Sequence, residues 1–555
     1  MGARVGRAGR LAQSEVRGEA PAVDGAKSPV PQADASAGSG RRTGGGPGGG
    51  PRADRPRRGR RALRWSATVL AVVILGTAGA GYLYYEHLNG NIHKGRRSSA
   101  DDSKAQRTQP NAAGQTPLNI LLIGSDSRNS DENVKLGGSR DHRGDPPLAD
   151  VQMLIHLSAD RKSAAMVSIP RDTRVDIPKC TDPDTGKVYP ATNDIINVSL
   201  ARGGAGCTLA TWENLTGVYI DHWMTIDFAG VVRMGNAVGG VDVCVKQNVW
   251  DRPTASVPGG SGLKMKAGTH KVKGEKALQW LRTRHAWGSD LMRARAQHMY
   301  LNSMIRTLRQ QNVFTDTGRL MDLAEAATKS LTVSEEIGTV KKLYDLGMQM
   351  KEVPSDRVTS LTMPNVPDQH DSNHVVPDGA NADKVWRMLQ DDVPFDKNGK
   401  HKKKKSKKYK PTEEPSLDAG RLGVLVQNAT RSSTEAPVPQ RASTIAQALI
   451  AKGYGRANAD TSGTLSEEKT VVRYPSADLK GDAQYVAKAL GLPMDAVKQS
   501  TDVSGVTVVV GADWRTGTAF PKEDTPEAGD LPDGSDAVNG SDTTKCMDVY
   551  DVYRW

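Results

Sequence analysis

The longest apolar run of the chain spans residues 65–85 and contains no charged residue. A helix needs about 20 such residues to cross a bilayer, and aromatic residues stand at both ends of the run, as at membrane interfaces. The run therefore predicts a transmembrane helix over residues 63–85, with a cleaved signal segment or a buried core helix as alternatives. The charges flanking it predict a cytoplasmic N-terminus and an extracytoplasmic remainder: Arg57, Arg58, Arg60, Arg61 and Arg64 before it, and Glu86 after it.

Shorter apolar stretches follow, some with strand character and some with helical spacing. Two of them, residues 150–157 and 164–170, flank a polar turn at residues 159–163 and predict a β-hairpin. Helical spacing predominates in residues 208–218 and 273–308. Because strands and helices mix throughout residues 117–395, we expect an α/β or α+β domain there.

A second, smaller α/β domain is predicted over residues 419–514, where strand and helix patterns alternate. Its sequence has no nucleophile–base pair and no cluster of metal ligands, so we expect a binding or structural role. The other segments are polar or of low complexity. They are a disordered basic segment (1–62), a stalk (86–116), a lysine-rich linker (396–418) and a flexible tail (515–555).

The formal net charge of +12 suits an anionic partner, but this charge is concentrated in the N-terminal segment and in a lysine run near residue 400. The net charge of the whole chain therefore says little about the charge of the folded domains. The lysine run is either a solvated spacer or a contact for an anionic wall polymer or lipid head groups.

All of the cysteines follow the predicted membrane helix, in a compartment that permits disulfides. Four cysteines allow three pairings, and the sequence does not choose among them, although a Cys180–Cys207 pair would close a local loop. No Cys/His spacing indicates zinc. The candidates are Cys180, Cys207, Cys244 and Cys546.

Candidate chemistry lies at the ends of apolar strands. Asp126, Asp150 and Asp172 follow or open such strands, and arginines cluster in the same region. Carboxylates bind Mg²⁺, which pairs with phosphate oxygens, and arginine binds phosphate bidentately. The combination indicates phosphoryl transfer. Outside the membrane no ATP is supplied, so the energy must come with the substrate, as in a lipid-linked pyrophosphate. The arginines are Arg128, Arg171, Arg174, Arg282, Arg284 and Arg293.

Residues 117–300 closely resemble the LytR-CpsA-Psr (LCP) family, through ordered stretches that include NILLIGSDSR, SIPRDT and LRTRHAWGSDLMRARAQ. Residues 419–514 resemble the LytR C-terminal domain, and the cysteines and the Arg/Gly-rich N-terminus resemble the actinobacterial branch. The resemblance implies an LCP catalytic domain with a central mixed β-sheet flanked by helices. It also implies transfer of a glycopolymer from an undecaprenyl-pyrophosphate carrier to peptidoglycan, leaving a phosphodiester, with Mg²⁺ or alternatively Mn²⁺ as cofactor.

The resemblance also assigns site residues. The metal ligands are expected to be Asp126 and Asp150, and the catalytic residues Arg171, Asp172, Arg282 and Arg284. The expected partners are the carrier-linked glycopolymer, peptidoglycan and membrane lipids, without nucleic acid. The expected pyrophosphate-binding residues are Arg128, Arg140, Arg143, Arg171, Asn197, Arg282, Arg284, Arg293 and Gln297.

The sequence departs from the family pattern near this site. Leu148 stands where an arginine is usual, so that Arg140 or Arg143 is a possible substitute; Ile195 replaces a lysine and Met292 a glycine. These changes favour, as an alternative, a catalytically impaired wall-binding or polyprenyl-pyrophosphate-binding protein. A regulator is a third option, without a nucleic-acid motif to support it.

Three large aromatic residues, Trp223, Phe228 and Trp280, are expected in the core. By resemblance, residues 231–238 and 299–305 are candidate walls of a pocket for the polyprenyl chain.

Overall fold

The computed structural model describes residues 58–100, 105–108, 110–111, 113–137, 143–311, 313, 316–399, 410–432, 436–521, 526–532 and 535–555. Residues 1–57 of the segment predicted to be disordered (1–62), Arg140 and most of the lysine run lie outside the described residues. Residues 58–62 of that segment are helical, which corrects the prediction there. The chain divides into two units, Met1–Leu75 and Gly76–Trp555. All of the described strands lie in the second unit.

The helices longer than a single 3-10 turn are α1 (Arg58–Asn91), α2 (Asp131–Lys135), α3 (Ser199–Thr216), α4 (Phe228–Ala237), α5 (Glu275–Arg282), α6 (Asp290–Gln310), α7 (Thr317–Ser330), α8 (Val340–Glu352), α9 (Gly379–Gln390), α10 (Arg441–Ile450) and α11 (Lys480–Leu490). The strands are β1 (His93–Gly95), β2 (Leu118–Ser125), β3 (Ala149–Leu157), β4 (Ala164–Ser168), β5 (Arg174–Ile177), β6 (Cys180–Thr181), β7 (Val188–Tyr189), β8 (Thr192–Ile195), β9 (His222–Ile226), β10 (Val241–Val245), β11 (Val249–Trp250), β12 (Lys264–Met265), β13 (Gly268–Val272), β14 (Leu331–Ser334), β15 (Val358–Thr362), β16 (Asn365–Pro367), β17 (Val375–Pro377), β18 (Gly423–Asn428), β19 (Arg456–Ala459), β20 (Val471–Tyr474), β21 (Val497–Gln499), β22 (Val506–Val510) and β23 (Val538–Asn539).

Helix α1 contains a segment, Leu63–Asn91, that is long and apolar enough to cross a membrane. The apolar side chains along its middle are exposed, as on a surface that lipid would cover. The last turns differ, because Leu88 and Ile92 are buried and the Val340 amide donates to Asn89 Oδ1 at 3.0 Å. Strand β1 then pairs with β14. The predicted stalk is therefore wrong for its first part, which belongs to the folded domain.

The main sheet has eight strands in the order β1-β14-β9-β2-β3-β4-β15-β23. It is mixed. Strands β3 and β4 form the predicted antiparallel hairpin, and β2 is antiparallel to β3, whereas the β2–β9 and β4–β15 pairs are parallel. A sheet of this kind, with helices around it, confirms the predicted fold class.

Two hydrophobic cores cover the two faces of this sheet. Successive side chains of a strand point to opposite faces, and alternate residues of β3 and β4 accordingly enter different cores. One core includes Trp212 of α3 and Trp386 of α9; the other includes Leu346 of α8 and Ile305 of α6. The strands are buried on both sides, which explains their nearly continuous apolar runs.

The smaller domain has a five-stranded sheet in the order β19-β18-β22-β20-β21, with α10 and α11 packed against it in a core of its own. The predicted alternation of strand and helix is present. The two edge strands, β19 and β21, were not predicted, because Arg456–Ala459 and Val497–Gln499 lack an apolar alternation.

The prediction of a flexible tail is wrong for the residues described after position 514. Strand β23 pairs with β15 of the main sheet, and Met547, Val549 and Tyr553 are buried. The acidic, glycine-rich composition indicated a loose segment, whereas a few spaced apolar residues and a cysteine are sufficient to attach it.

Two disulfides link the cysteines. Cys180 bonds to Cys207, which confirms the favoured local pair, and Cys244 bonds to Cys546 across 302 residues. The first lies in the core beneath α3, where both cysteines are buried. The second attaches the C-terminal residues to β10.

A buried histidine predicts loss of stability in acid. His298 of α6 is fully enclosed, and burial lowers its pKa from 6.5 to about 4. Between pH 6.5 and 4 the unfolded chain therefore binds a proton at His298 that the folded chain does not bind. The stability that the neutral histidine permits is fully present above pH 6.5 and is lost as the pH falls towards 4. Because of His298, we expect the free energy of unfolding of residues 86–555 to be about 2 kcal/mol lower at about pH 5 than at about pH 7.5. Urea denaturation at both pH values measures it.

The matched variant is His298→Leu, which removes the titrating ring from the same buried position. Its stability should depend less steeply on pH over this interval. An unchanged pH dependence would contradict the assignment to His298.

Candidate functional site

The predicted site residues meet at one edge of the main sheet. Strand β2 ends at this edge, the antiparallel β3 begins there, and β4 ends there again. The register brings Ser125 opposite Ala149, with a bulge after Gly124. Asp126, Asp150 and Arg171 thus emerge side by side, although Asp126 and Arg171 are far apart in the chain.

Asp126 closes the junction between β2 and β3. Its Oδ1 accepts the Leu148 amide at 2.7 Å, and its own amide donates to the Leu148 carbonyl at 3.2 Å. Burial raises the pKa of Asp126; the Leu148 hydrogen bond opposes this rise, and the nearby charge of Asp150 adds to it. The two carboxyl groups are therefore electrostatically coupled. Leu148 contributes through its backbone, which any residue could supply.

Arg171 lies between two carboxylates. Its Nη1 donates to Asp150 Oδ1 at 2.9 Å, and its Nε lies 3.4 Å from Asp172 Oδ1. Burial alone would lower the pKa of Arg171, but Asp150 and Asp172 outweigh it and raise the pKa. The arginine therefore stays charged and in place at the mouth of a buried strand.

A second pair of arginines comes from the end of α5. Arg282 is the last residue of that helix; Nη1 and Nη2 donate to the carbonyls of Leu136 and Gly137, both at 3.1 Å. Its guanidinium also lies 4.7 Å from the centre of the Phe228 ring. Burial lowers the pKa of Arg282, and the charge of Arg128 lowers it further. These contacts fix Arg282 against the residues that follow α2 and against the first residue of α4.

Thr283 separates the two arginines and is completely buried. Its Oγ1 donates to the Gln279 carbonyl at 2.7 Å and lies 2.6 Å from Ser261 Oγ. Arg282 thus ends the helix, Arg284 lies on irregular backbone just after it, and the buried Thr283 hydroxyl anchors the segment between them. Sequence reasoning missed Thr283, because only the tertiary fold brings Ser261 to it.

Asp290 matches the family pattern together with Arg293, by resemblance, but was not assigned to the predicted site. It begins α6, where it lies 2.7 Å from Arg293 Nη2 and 3.7 Å from Arg284 Nε. Arg293 is 8% exposed, and burial lowers its pKa despite the opposing charge of Asp290. Asp290 thus connects the arginine segment after α5 to the helix that follows. The Ser-Asp pair at a helix start was the available signal.

Among the remaining predicted residues, two have unpartnered atoms near the site and the others bind elsewhere. The backbone N–H of Asn197 donates to the Arg171 carbonyl at 3.3 Å. Asn197 Oδ1 and Arg128 Nε are buried without a hydrogen-bond partner among the described residues. Gln297 instead donates to the Leu281 carbonyl at 3.2 Å, so it connects α6 to α5. Arg143 pairs with exposed Asp131 at 2.8 Å, rather than with Asp126 or Asp150. Arg174, the first residue of β5, pairs with Asp368 at 2.8 Å.

The donor set fits a hard divalent cation. Across the described ranges, no group of three or more His, Cys, Asp or Glu residues could enclose a metal. Asp126 and Asp150 supply two neighbouring carboxylates, close enough that the charge of Asp150 raises the pKa of Asp126. Mg²⁺ commonly takes one or two carboxylates and completes its shell with water and phosphate, and that is the set available here.

Trp223, Phe228 and Trp280 are buried, which confirms that they belong to the core. The two segments expected to line a lipid pocket fall on α4 and α6. Leu301 and Ile305 pack against one core while Met299 and Met304 pack against another. The pocket itself stays a prediction.

Comparison with known proteins gives two family matches. The sequence model of the LytR_cpsA_psr family matches residues 82–391. A second model, described as "LytR cell envelope-related transcriptional attenuator", matches residues 421–514. The first match covers more than half of the chain.

Individual relatives are more distant. The chain is 28% identical over 333 residues to cell wall biosynthesis protein LcpA of Corynebacterium glutamicum, covering 55% of this chain and 60% of that protein, less than two thirds of its length. It is 24% identical over 335 residues to the polyisoprenyl-teichoic acid–peptidoglycan teichoic acid transferase TagV of Bacillus subtilis, covering 60% and 78%. A solved LytR-Csp2A-Psr enzyme from Actinomyces oris aligns with a TM-score of 0.39 at 17% identity, over 54% of this chain and 96% of that one.

The Asp290–Arg293 pair should contribute to stability, unlike the exposed pair nearby. Asp290→Asn removes the negative charge beside a nearly buried guanidinium, which we expect to lower the free energy of unfolding by about 3 kcal/mol. Arg143→Ala breaks an ion pair whose side chains are 54% and 78% exposed and should cost less than about 0.5 kcal/mol. Denaturant unfolding of both variants measures the difference, and equal effects would argue against a structural role for Asp290.

Proposed function

Because this chain belongs to the LytR_cpsA_psr family, we propose that it transfers a glycopolymer from an undecaprenyl-pyrophosphate carrier to peptidoglycan. The observation that supports this most directly is the placement of Asp126 and Asp150 at adjoining strand ends with Arg171 between Asp150 and Asp172. The similarity to TagV, a polyisoprenyl-teichoic acid–peptidoglycan teichoic acid transferase, adds support for the class of donor and acceptor.

The proposed reaction needs no external energy source. The oxygen of an acceptor hydroxyl attacks the phosphorus that carries the glycopolymer, and a new P–O bond forms. The phosphoanhydride bond to the carrier phosphate breaks, and polyprenyl phosphate leaves with the bonding electrons. The hydroxyl proton passes to a base, and the product is a phosphodiester. Such a reaction depends on positioning and on stabilisation of charge rather than on a covalent enzyme intermediate.

Arginines of this chain would supply that stabilisation. Arg171 Nη1 donates to Asp150, and its Nε lies near Asp172, so these carboxylates orient the guanidinium. Its other N–H groups, which make no hydrogen bond with the described residues, would bind phosphate oxygens. The side chain of Arg284 is 43% exposed, which leaves it accessible to a ligand. The buried Arg128 Nε and Asn197 Oδ1 add a donor and an acceptor that lack partners among the described residues.

Two roles for Asp172 were open, as a base on the acceptor hydroxyl or as an orienting group for Arg171. The 3.4 Å approach of Asp172 Oδ1 to Arg171 Nε supports the orienting role, since it places the carboxylate beside the guanidinium. Asp126 and Asp150 would bind Mg²⁺, or alternatively Mn²⁺. The bound cation would neutralise negative charge on the pyrophosphate oxygens.

The proposed location is the cell membrane, with one span, a cytoplasmic N-terminus and the remaining domains outside. The exposed apolar surface of α1 supports the span, and the two disulfides support an oxidising compartment for the rest. Membrane lipids would then surround α1 and present the carrier. The expectation that nucleic acid is not a partner stays a prediction.

A second candidate is a wall-binding or pyrophosphate-binding protein with little or no transferase activity. It is favoured by Leu148, which replaces the usual arginine, and by the commitment of Arg143 to Asp131. Both changes reduce the positive charge available at the pyrophosphate. Binding would survive on the remaining arginines, while charge stabilisation in the transition state would suffer.

Turnover by the arginine–aspartate pair tests the proposal. Purified protein with a lipid-linked pyrophosphate glycopolymer, a peptidoglycan acceptor and Mg²⁺ should transfer polymer. Arg171→Ala and Asp150→Ala should each lower kcat by about 100-fold. The first removes a positive charge beside the reacting phosphates, and the second removes a proposed cation ligand and the partner that orients Arg171. The matched control is Arg174→Ala, three residues along and paired with Asp368, which should stay within about two-fold of wild type. Carrier binding without transfer by wild type would favour the second candidate.

Metal removal provides an independent measurement. Treatment with a chelator should abolish transfer, and Mg²⁺ or Mn²⁺ should restore it, because two carboxylates alone leave the pyrophosphate charge uncompensated. Restoration should require a higher Mg²⁺ concentration in Asp126→Asn than in wild type. Full activity in the presence of chelator would contradict a metal at Asp126 and Asp150.

A further inference from the structure

The last residues of the chain form a short segment attached to the catalytic domain. We call residues 546–555 the C-terminal strap. They follow both family-matched segments, which end at residues 391 and 514. The strap begins at the Cys244–Cys546 disulfide, and the Met547 amide donates to the Cys244 carbonyl at 2.9 Å. Met547 itself is completely buried.

The other end of the strap is fixed near β11. Trp555 Nε1 donates to the Val249 carbonyl at 3.0 Å, and Asn248 Nδ2 donates to the Trp555 carbonyl at 2.9 Å. The terminal residue is therefore ordered by two side-chain hydrogen bonds. Both ends of the strap attach to the segment that includes β10 and β11.

Between these ends, the strap contacts the turn that follows Arg284. The Tyr550 amide donates to the Ala286 carbonyl at 2.8 Å. Tyr553 is 4% exposed, and its ring stacks on His285 with centroids 6.4 Å apart and an interplanar angle of 19°. On another side of the same turn, Trp287 packs against Trp280 at 5.1 Å.

This turn needs external support. His285–Trp287 is a single 3-10 turn, which has few hydrogen bonds of its own. It lies between Arg284 and Asp290, and the ion pair joining these two residues is long, at 3.7 Å. A flexible turn would allow Arg284 to occupy many positions. The conformational entropy lost on ordering Arg284 would then raise the activation free energy of the reaction.

We propose that the C-terminal strap is a positioning element for Arg284, acting through the Ala286 carbonyl and the His285 ring. This inference rests on the proposed function for its effect on catalysis. Its structural part, that the strap orders the turn at residues 285–287, is independent of any activity. Tyr550, through its backbone N–H, and Tyr553, through its ring, are positioning residues, since both act on Arg284 through the turn.

Tyr550 permits a test of one hydrogen bond. Its φ of −65° is the value that proline adopts, so Tyr550→Pro removes the N–H donor with little change of backbone. Tyr550→Ala keeps the donor and removes a side chain that is 58% exposed. A second pair, Tyr553→Ala and Tyr553→Phe, removes or keeps the ring that stacks on His285. Full-length protein in detergent is used throughout.

Tyr550→Pro should lower kcat about 10-fold while KM for the lipid-linked pyrophosphate changes less than about two-fold, because the misplaced arginine acts on the transition state. Tyr550→Ala should retain wild-type kcat, and Tyr553→Phe should restore what Tyr553→Ala loses. Hydrogen exchange at residues 285–290 should become faster in Tyr550→Pro and Tyr553→Ala, without a change in residues 423–510.

Equal kcat values and equal exchange in Tyr550→Pro and Tyr550→Ala would overturn the proposal. Faster exchange throughout the catalytic domain would also overturn it, since that result indicates general destabilisation rather than local positioning. If wild type shows no turnover, the proposed function fails, and the exchange measurement alone decides whether the strap orders the turn. The two failures are thus distinguishable.

Discussion

Buried strands that end in charged residues impose a strict electrostatic requirement on this protein. A guanidinium at such a position loses solvation, and neighbouring groups must compensate for that loss, carboxylates most strongly. Arg171 meets the requirement with Asp150 and Asp172, and these residues come from the ends of two antiparallel strands. The contact therefore depends on the register of the hairpin. A slip of one residue would turn these side chains to the opposite face of the sheet and separate the charges.

The same requirement recurs around α5 and α6. Arg282 is compensated by backbone carbonyls and the Phe228 ring, whereas Arg293 is compensated by Asp290. Carbonyl groups and an aromatic face are weaker partners than a carboxylate, and the pKa of Arg282 is lowered accordingly. The site thus contains arginines with incomplete compensation, which is the condition in which an anionic ligand improves the electrostatics. Phosphate groups satisfy this condition with good geometry.

Local patterns predicted much of the fold, and tertiary contacts account for what they missed. The long apolar helix α1, the hairpin with its turn at residues 159–163 and the alternation in the smaller domain all arise from patterns of apolar positions that are visible in the sequence. The proximity of Asp126, Asp150 and Arg171 also follows from strand ends meeting at one edge. In contrast, Thr283 is important only because Ser261 lies beside it. Strand β1 and the C-terminal residues were assigned to polar segments, since few apolar residues in each contact the domain. The role of Leu148 was also hidden, because it acts through its backbone amide.

The Cys244–Cys546 disulfide joins two points that are 302 residues apart in the chain, and the smaller domain lies between them. The chain between them is a covalent ring, so both ends of the smaller domain lead back to the larger one. Synthesis proceeds from the N-terminus, and domains begin to fold as they emerge. The turn beside Arg284 can therefore acquire its contacts with Tyr550 and Tyr553 only after residues 550–553 have been made. This part of the site thus forms after the smaller domain has been synthesised, although its other residues come from the larger domain, which is made first.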